Sequence, residues 1–471
     1  MNQSPEETLH QASLALLERS GVGIAARPVL ELLADHGLRV DFERGRVFPS
    51  AQAVQRALSS VPPNLTLYGR TGEPQCCLGD GKAYILAGGG SLRVLTLEGQ
   101  LEPASWAHLR RFNVLLDALP NVDLCINQLD PQDDVGEDFY RRLAAEMLTG
   151  MPKPCLLQAG SAADVRAMLE MGTLVRGSHQ VLIEKPLFVV AANAEPPLHI
   201  SAQVGELLLA AFQAGLPAHL GNYNMLGITA PVTVAGAVVQ LNAVQLTALI
   251  LAQLVRPGTP FVYSAFSGGG NLRTLDVAAA QPQAIQQQCL AARLGRFYRL
   301  PVYAIAACDA HLPDAQAACE RASCLSLLME AGVHLIQGPT SMLDGLRLSS
   351  YAQAVIDNDI VGYVRAARHV PQLCEETLAL DVIHEVVNDP TLRDLKFAAH
   401  PHTVHHMRDE TWQPLCFDTE GPTTWQHTGA PPLLERATAV ARRILDEHQP
   451  QPLPPRLARE LWRIAASPGQ R

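Results

Sequence analysis

The stretch "PVYAIAACDAHLPDAQAACE", residues 301–320, decides the fold. Its apolar run, "PVYAIAA", is too short for a helix and ends in polar residues, which is the pattern of a buried strand. A helical pattern follows from Ala315, with Asp314 standing where a helix N-cap belongs. Strand, polar turn and helix in one short stretch form the repeating unit of a parallel α/β sheet. In a closed barrel of such units the side chains just after a strand line the mouth, so Asp309 and His311 are candidates for chemistry. Asp314 has gone past the mouth and is expected to serve the helix.

Working outward, similar runs recur at 122–127 ("VDLCIN"), 153–160 ("KPCLLQAG"), 180–186 ("QVLIEKP"), 217–224 ("PAHLGNYN"), 260–267 ("PFVYSAFS"), 333–339 ("VHLIQGP") and, more weakly, 345–350 ("GLRLSS"). Together with 301–308 they make eight, most separated by enough chain for a helix. That count favours a closed (β/α)8 barrel of the TIM type over an open doubly wound sheet. No GxGxxG follows the first strand and no Walker A sequence occurs, so the nucleotide-binding signatures are missing. The resulting division is an N-terminal α/β cap region over 1–114, a barrel core over 115–350 and a C-terminal helical region over 351–471. Within the cap, "AYILAGGGSLRVLTLEG" alternates like strands around Gly88, Gly89 and Gly90.

Composition narrows the function. A 48% hydrophobic, 17% charged chain is that of an ordinary globular enzyme, and a net charge of −10 speaks against nucleic acid and against a basic membrane-surface patch. The richest apolar stretch, 228–255, is broken by Pro231 and by polar residues, so no bilayer span is expected. The polar, acidic start "MNQSPEETLHQ" does not have the pattern of a signal peptide, and the ten cysteines include no CxxC pair. A cytoplasmic enzyme is the expectation. The late amphipathic helix in "PPLLERATAVARRILDEH" and the apolar content suggest a homo-oligomer.

Barrel geometry selects the strand ends as site candidates: Asn127, Gln128, Gln158, Glu184, Lys185, Asn222, Tyr223, Asn224, Ser264, Asp309, His311 and Gln337. The glycine run Ser267–Gly270 reads as a flexible lid, and Arg273 beyond it suits a carboxylate. In "HPHTVHH" (400–406), His402 and His406 share a helical face. Without an HExxH pattern, a solvated or subunit-contact histidine cluster is expected there, and no metal is assigned.

Several passages share an order with one family. "APVTVAGAVVQLNA…LAQLVRPGTPFVY", "LRT" and "DAHLPDAQAACE" are similar to the trimethylamine methyltransferase family, in its branch without pyrrolysine. So are "LLERSGV…LLADHGLRVDFERGRVF", "LYGR", "GGGS…VLTLEG", "LPNVD" and "H-HT…R". The resemblance implies a (β/α)8 methyltransferase that moves a methyl group from an amine to Co(I) of a separate, small corrinoid-binding protein. The corrinoid (cobalamin) is then supplied by that partner, with no cofactor held tightly by this chain and no cofactor-binding residue assigned. Ordinary residues, Ala317, Ala318 and Cys319, stand in the segment that matches the family's pyrrolysine, which implies a quaternary amine such as glycine betaine. The branch commonly has lysine at the position of His311 and Gly-Tyr at Ala318–Cys319, so this chain departs from the pattern there. On this reading Tyr223, Phe266 and Asp309 would hold the ammonium group and Arg273 its carboxylate, with Asn222, Gln158 and Gln337 completing the substrate site. His311 would orient the substrate. Two other readings stay open: a metal-dependent barrel hydrolase built on Asp309, His311 and the C-terminal histidines, and a non-catalytic betaine-binding protein. An acceptor other than a corrinoid, such as tetrahydrofolate, also fits the sequence.

Overall fold

The computed structural model describes residues 3–467, without the side chains of 394 and 395. Eight parallel strands close into a barrel in sequential order. They are β1 (Tyr84–Ala87), β2 (Leu124–Cys125), β3 (Cys155–Gln158), β4 (Phe188–Asn193), β5 (Ala218–Gly221), β6 (Phe261–Ser264), β7 (Val302–Ile305) and β8 (Leu335–Gln337). β8 closes the ring on β1, with Gln337 opposite Leu86. Each strand is followed by a helix: α1 (Trp106–Ala118), α2 (Phe139–Gly150), α3 (Ala162–Arg176), α4 (Ala202–Gln213), α5 (Val234–Val255), α6 (Pro282–Phe297), α7 (Ala315–Glu330) and α8 (Tyr351–Ala367).

The helix starts are written locally. Ser105, Ser161, Ser201 and Ser350 each accept a hydrogen bond from the backbone N–H three residues on, satisfying a donor that the helix itself cannot. Gly177, in the left-handed conformation, ends α3. α5 is apolar on all sides because it is covered on all sides, by the barrel, by neighbouring helices and by the N-terminal helices Pro5–Arg19 and Ala51–Ser60. It is the one helix among the described residues long and apolar enough to cross a membrane, and 78% of that apolar window is buried inside the protein. Fully burying each of its Leu and Ile side chains is worth roughly 1.5–3 kcal/mol.

Three expectations need correction. The barrel begins at Tyr84, inside the segment assigned to the N-terminal cap, so Gly88–Gly90 stand at the end of β1 and belong to the mouth. The run 180–186 is not a strand: Ser178 caps a short helix, His179–Glu184, and the fourth strand is the following "FVVAAN". The segment 345–350 does not enter the barrel. Its strand Leu348–Ser350 joins a small sheet with Met342–Leu343, Arg93–Leu95 and Leu101–Pro103 beside the mouth. Consequently α8, placed at the head of the C-terminal region, is the eighth barrel helix and is almost wholly buried.

The run Ser267–Gly270 is also not a loose lid. It is a buried strand between Asn224–Leu226 and Val277–Ala278, forming a second small sheet over the β5–β7 side. The N-terminal hairpin Leu65–Tyr68/Pro74–Leu78 plugs the opposite end of the barrel. The late helix Leu433–Glu447 buries Ala437 and Ala441 and packs on α8 and α1, so its apolar face is used within the chain.

Candidate active site

The barrel interior is a packed column. At its lower end Leu65, Leu67, Cys76 and Leu78 of the plugging hairpin join Leu86, Leu124, Leu156, Val189, Val262 and Leu335 in one buried cluster. Above them the His219 ring lies 4.1 Å from Tyr303, and His219 Nε2 is 3.1 Å from Ser264 Oγ. Burial drives the His219 pKa down to about 3, so this imidazole is neutral. Its Nδ1 has no hydrogen-bond partner among the described residues.

The column continues upward through rings. Phe266, just after β6, stands 6.0 Å from Tyr303, and Tyr223, just after β5, stands 4.8 Å from Phe266 at 46°. Rings that close together leave no space between them, so Tyr223 and Phe266 form one aromatic corner rather than two facing walls. Backbone makes room for it: a Cβ on Gly268 would overlap the Tyr223 hydroxyl. That hydroxyl is buried without a hydrogen-bond partner among the described residues. Burial raises its pKa, and the nearby Asp309 charge adds to the rise.

Asp309 is thus near the corner, but its carboxylate is occupied. Oδ1 accepts the N–H of Ala279 and Oδ2 that of Ala280, both at 2.9 Å. Burial raises its pKa while these two amides oppose the rise. Glu320 Oε2 in turn accepts the backbone N–H groups of Asp309 and Ala310, at 2.7 and 3.3 Å. Asp309 therefore fastens the chain that follows the Ser267–Gly270 strand. Asp314 caps α7, accepting from Gln316 and Ala317 N–H, as its spacing suggested.

The other candidates separate. Strand alternation puts Gln158 on the same inward face as Leu156, half-buried at the mouth. Gln337 is buried and donates to the Gly88 carbonyl at 2.9 Å. Asn222 is completely buried, with neither amide atom partnered among the described residues, and no contact there ties it to the aromatic corner. Arg273 stands exposed on the turn after Gly270, its backbone N–H donating to Asn271 Oδ1.

His311 does not line the cavity. Its side chain is 78% exposed, with Nδ1 2.9 Å from Asp344 Oδ1. Arg93 and Arg347 also reach Asp344, at 2.8 and 2.9 Å, so one buried carboxylate serves two arginines and a histidine on the rim over β7, β8 and β1. The two arginines alone outweigh it, leaving a locally positive rim on an acidic protein.

On the opposite side of the mouth sequence reasoning picked out Asn127, Gln128 and Gln158 but missed Asp130. A cleft of about 440 Å3 opens between the loops after β1, β2, β3 and β4, and its lining includes Asp130, Glu137, Phe139, Tyr140, Gly160 and Asp164. Asp130 has no arginine or lysine partner among the described residues; Asn127 Nδ2, at 2.7 Å, is its one side-chain donor. Burial lifts its pKa to about 6, only partly offset by that bond. The Cβ position of Gly90 lies 2.8 Å from both its oxygens, so glycine is needed there. Tyr140 feels the same charge: burial raises its pKa, and Asp130 and Asp164 add to it. "INQLD" at the end of β2 carried this signal, since Asp130 follows its strand at nearly the spacing at which Asp309 follows β7.

A closed parallel barrel with carboxylates, amides and an aromatic corner gathered at the strand C-termini defines a (β/α)8 enzyme. The profile of the trimethylamine methyltransferase (MTTB) family matches residues 1–466. The chain belongs to that family, and it is a methyltransferase. It is 27% identical over 458 residues to trimethylamine methyltransferase MttB of Desulfitobacterium hafniense DCB-2, covering 97% of this chain and 91% of that one. It is 25% identical over 472 residues to glycine betaine methyltransferase of Desulfitobacterium hafniense Y51, covering 100% and 97%. To the proline betaine:corrinoid methyltransferase of Eubacterium limosum it is 26% identical over 365 residues, covering 75% and 74%. The crystal structure of the Methanosarcina barkeri monomethylamine methyltransferase (MtmB) superposes with a TM-score of 0.51 at 12% identity, over 94% of this chain and 86% of that one. That likeness supports the fold alone.

Proposed function

We propose that this enzyme demethylates a quaternary amine of the betaine type, passing the methyl group to the Co(I) of a separate corrinoid protein. The observation that carries the reading is the mouth itself: an aromatic corner at Tyr223 and Phe266 on one side and an unpaired, desolvated carboxylate, Asp130, with Tyr140 on the other. A trimethylammonium group has no N–H to donate, so only ring faces and carboxylate charge can hold it. Two of the relatives bear betaine substrates in their names, and residues 314–320 contain only ordinary amino acids.

The chemistry asks little of the protein. The corrinoid, presented by its partner, supplies the nucleophile. The C–N bond breaks with its electron pair going to nitrogen, and the amine leaves neutral with no proton removed. No free general base is therefore needed, which fits an Asp309 bound to two amides and a neutral, deeply buried His219. Orientation and exclusion of water are the tasks left to the chain. The positive rim of Arg93 and Arg347 suits an acidic face on the corrinoid protein.

Gln158 and Gln337 remain substrate-side candidates in this proposal, with Arg273 for the substrate carboxylate. A reducing, cytoplasmic setting agrees with ten cysteines that form no disulfide. Association into a homo-oligomer draws support from exposed Val370, Leu373, Leu380 and Val404 in the C-terminal region. A metal-dependent hydrolase draws no support at the mouth, where His311 is engaged with Asp344. Calorimetry with glycine betaine and with 3,3-dimethylbutanoate, the isostere in which carbon replaces the cationic nitrogen, tests the cation site. The reading expects the betaine to bind at least about tenfold more tightly, and equal affinities would overturn it.

A further inference from the structure

The segment 368–432 leaves the barrel at the C-terminal end of α8, remote from the mouth. In it a short helix, Glu375–Leu378, meets the helix Pro401–Glu410 through charged and imidazole side chains. Glu376 Oε1 lies 3.5 Å from His406 Nε2 and 3.9 Å from His405 Nε2. Taken together, one ligand atom from each of the three residues lies within 4.8 Å of the other two. Around a tetrahedral zinc ion with bonds of about 2.0–2.1 Å, ligand atoms sit about 3.3 Å apart, so small side-chain rotations bring these three into a coordination shell.

A second observation points the same way. His402, one turn before His406, holds its ring centroid 4.3 Å from that of His406. Its Nε2 is buried and has no hydrogen-bond partner among the described residues. A buried ring nitrogen without a partner costs free energy unless something else satisfies it. His400 plays a different part: its Nδ1 accepts the His402 N–H as the helix cap, and its Nε2 faces Glu385 at 3.4 Å.

We propose that Glu376, His405 and His406, with His402 as a further donor, bind one divalent transition-metal ion of the zinc class. The ion would tie the two helices together and take no part in methyl transfer. Simple ion pairing explains the cluster less well. Pairing with Glu376 engages only His405 and His406 and leaves the buried His402 Nε2 without a partner, whereas a shared cation would answer all three rings. Imidazole-rich donors with one carboxylate suit zinc, copper or nickel rather than calcium or magnesium, which take oxygen.

The test uses the full-length, tag-free protein stripped with a chelator. Titration with Zn2+ is expected to show one ion per chain with a Kd of about 10 μM or tighter, and Co2+ to give the intense visible absorption of a low-coordinate site. H406A and E376Q should each weaken zinc binding at least about 30-fold, while H384A, on a neighbouring helix, leaves it unchanged. Hydrogen exchange of 401–410 should slow when zinc is added, and should not slow in E376Q, whose partly exposed side chain can change without unfolding the segment. No saturable binding at about 100 μM zinc, or binding that survives both H406A and E376Q, would overturn the proposal.

Discussion

Asp130 should be a residue whose removal strengthens the fold and weakens the function. Its carboxyl titrates at about 6 rather than the ordinary 3.8, because burial at the cleft opposes its charge and a single amide answers it. The folded pKa lies above the unfolded one, so this group favours the folded state fully below about pH 3.8. That contribution is lost as pH rises through about 6. The gap corresponds to about 3 kcal/mol, and contact with solvent in the cleft reduces the expected effect to roughly 1–3 kcal/mol. Asp130→Asn keeps an oxygen for Asn127 Nδ2 and removes the charge. Denaturant midpoints across about pH 4 to 8 should therefore show the two proteins equal at the acid end and the variant more stable at neutrality by roughly 1–3 kcal/mol. Calorimetry on the same samples should show betaine binding weakened by about 5- to 150-fold, the effect of losing a carboxylate some 5 Å from a cation in a partly buried site. A stability difference that stays flat with pH would refute the assigned burial. Unchanged betaine affinity would refute the role.

Other outcomes follow from the same geometry. Tyr223→Ala should weaken betaine binding by about 0.5–2 kcal/mol, whereas Tyr223→Phe, which deletes only an unpartnered hydroxyl, should leave binding intact and cost no stability; calorimetry and melting curves check both. Asp309→Asn keeps one acceptor for two amide donors and should cost about 1.5–3 kcal/mol locally, read as faster hydrogen exchange at Ala279 and Ala280. Arg93→Gln should raise KM for the corrinoid protein and flatten its salt dependence without moving KM for the amine, since Arg347 still answers Asp344. Asp314→Ala should cost about 0.5–2 kcal/mol of stability through the lost α7 cap and leave turnover unchanged.

The strand–turn–helix rhythm made the barrel legible, because β5, β6, β7 and β8 are short apolar runs separated by stretches long enough for a helix. "AYILA" was not recognised as a barrel strand since a short apolar run reads the same in a hairpin, and only its pairing with β8 and β2 distinguishes them. "QVLIE" was misread for the same reason, although Ser178 before it was a visible helix cap. The glycine run looked flexible because side-chain absence signals freedom in a sequence. In the fold it serves close packing, admitting Tyr223 over Gly268. At the site, the sequence singled out Tyr223 and Phe266, and the fold brings their rings to 4.8 Å. Strand-end position could not show that the Asp309 oxygens are taken by Ala279 and Ala280, nor that His311 turns outward to Asp344. Those depend on loops whose partners lie far along the chain.

The central claim is a methyl transfer that needs a quaternary nitrogen and no proton. It is tested most directly by mixing the enzyme with a Co(I)-reduced corrinoid protein and following the cobalt absorption while the amine product is identified by mass spectrometry. The account predicts loss of the Co(I) spectrum with glycine betaine, formation of dimethylglycine in equal amount, and no reaction with trimethylamine. Turnover of trimethylamine with none of any betaine would contradict it.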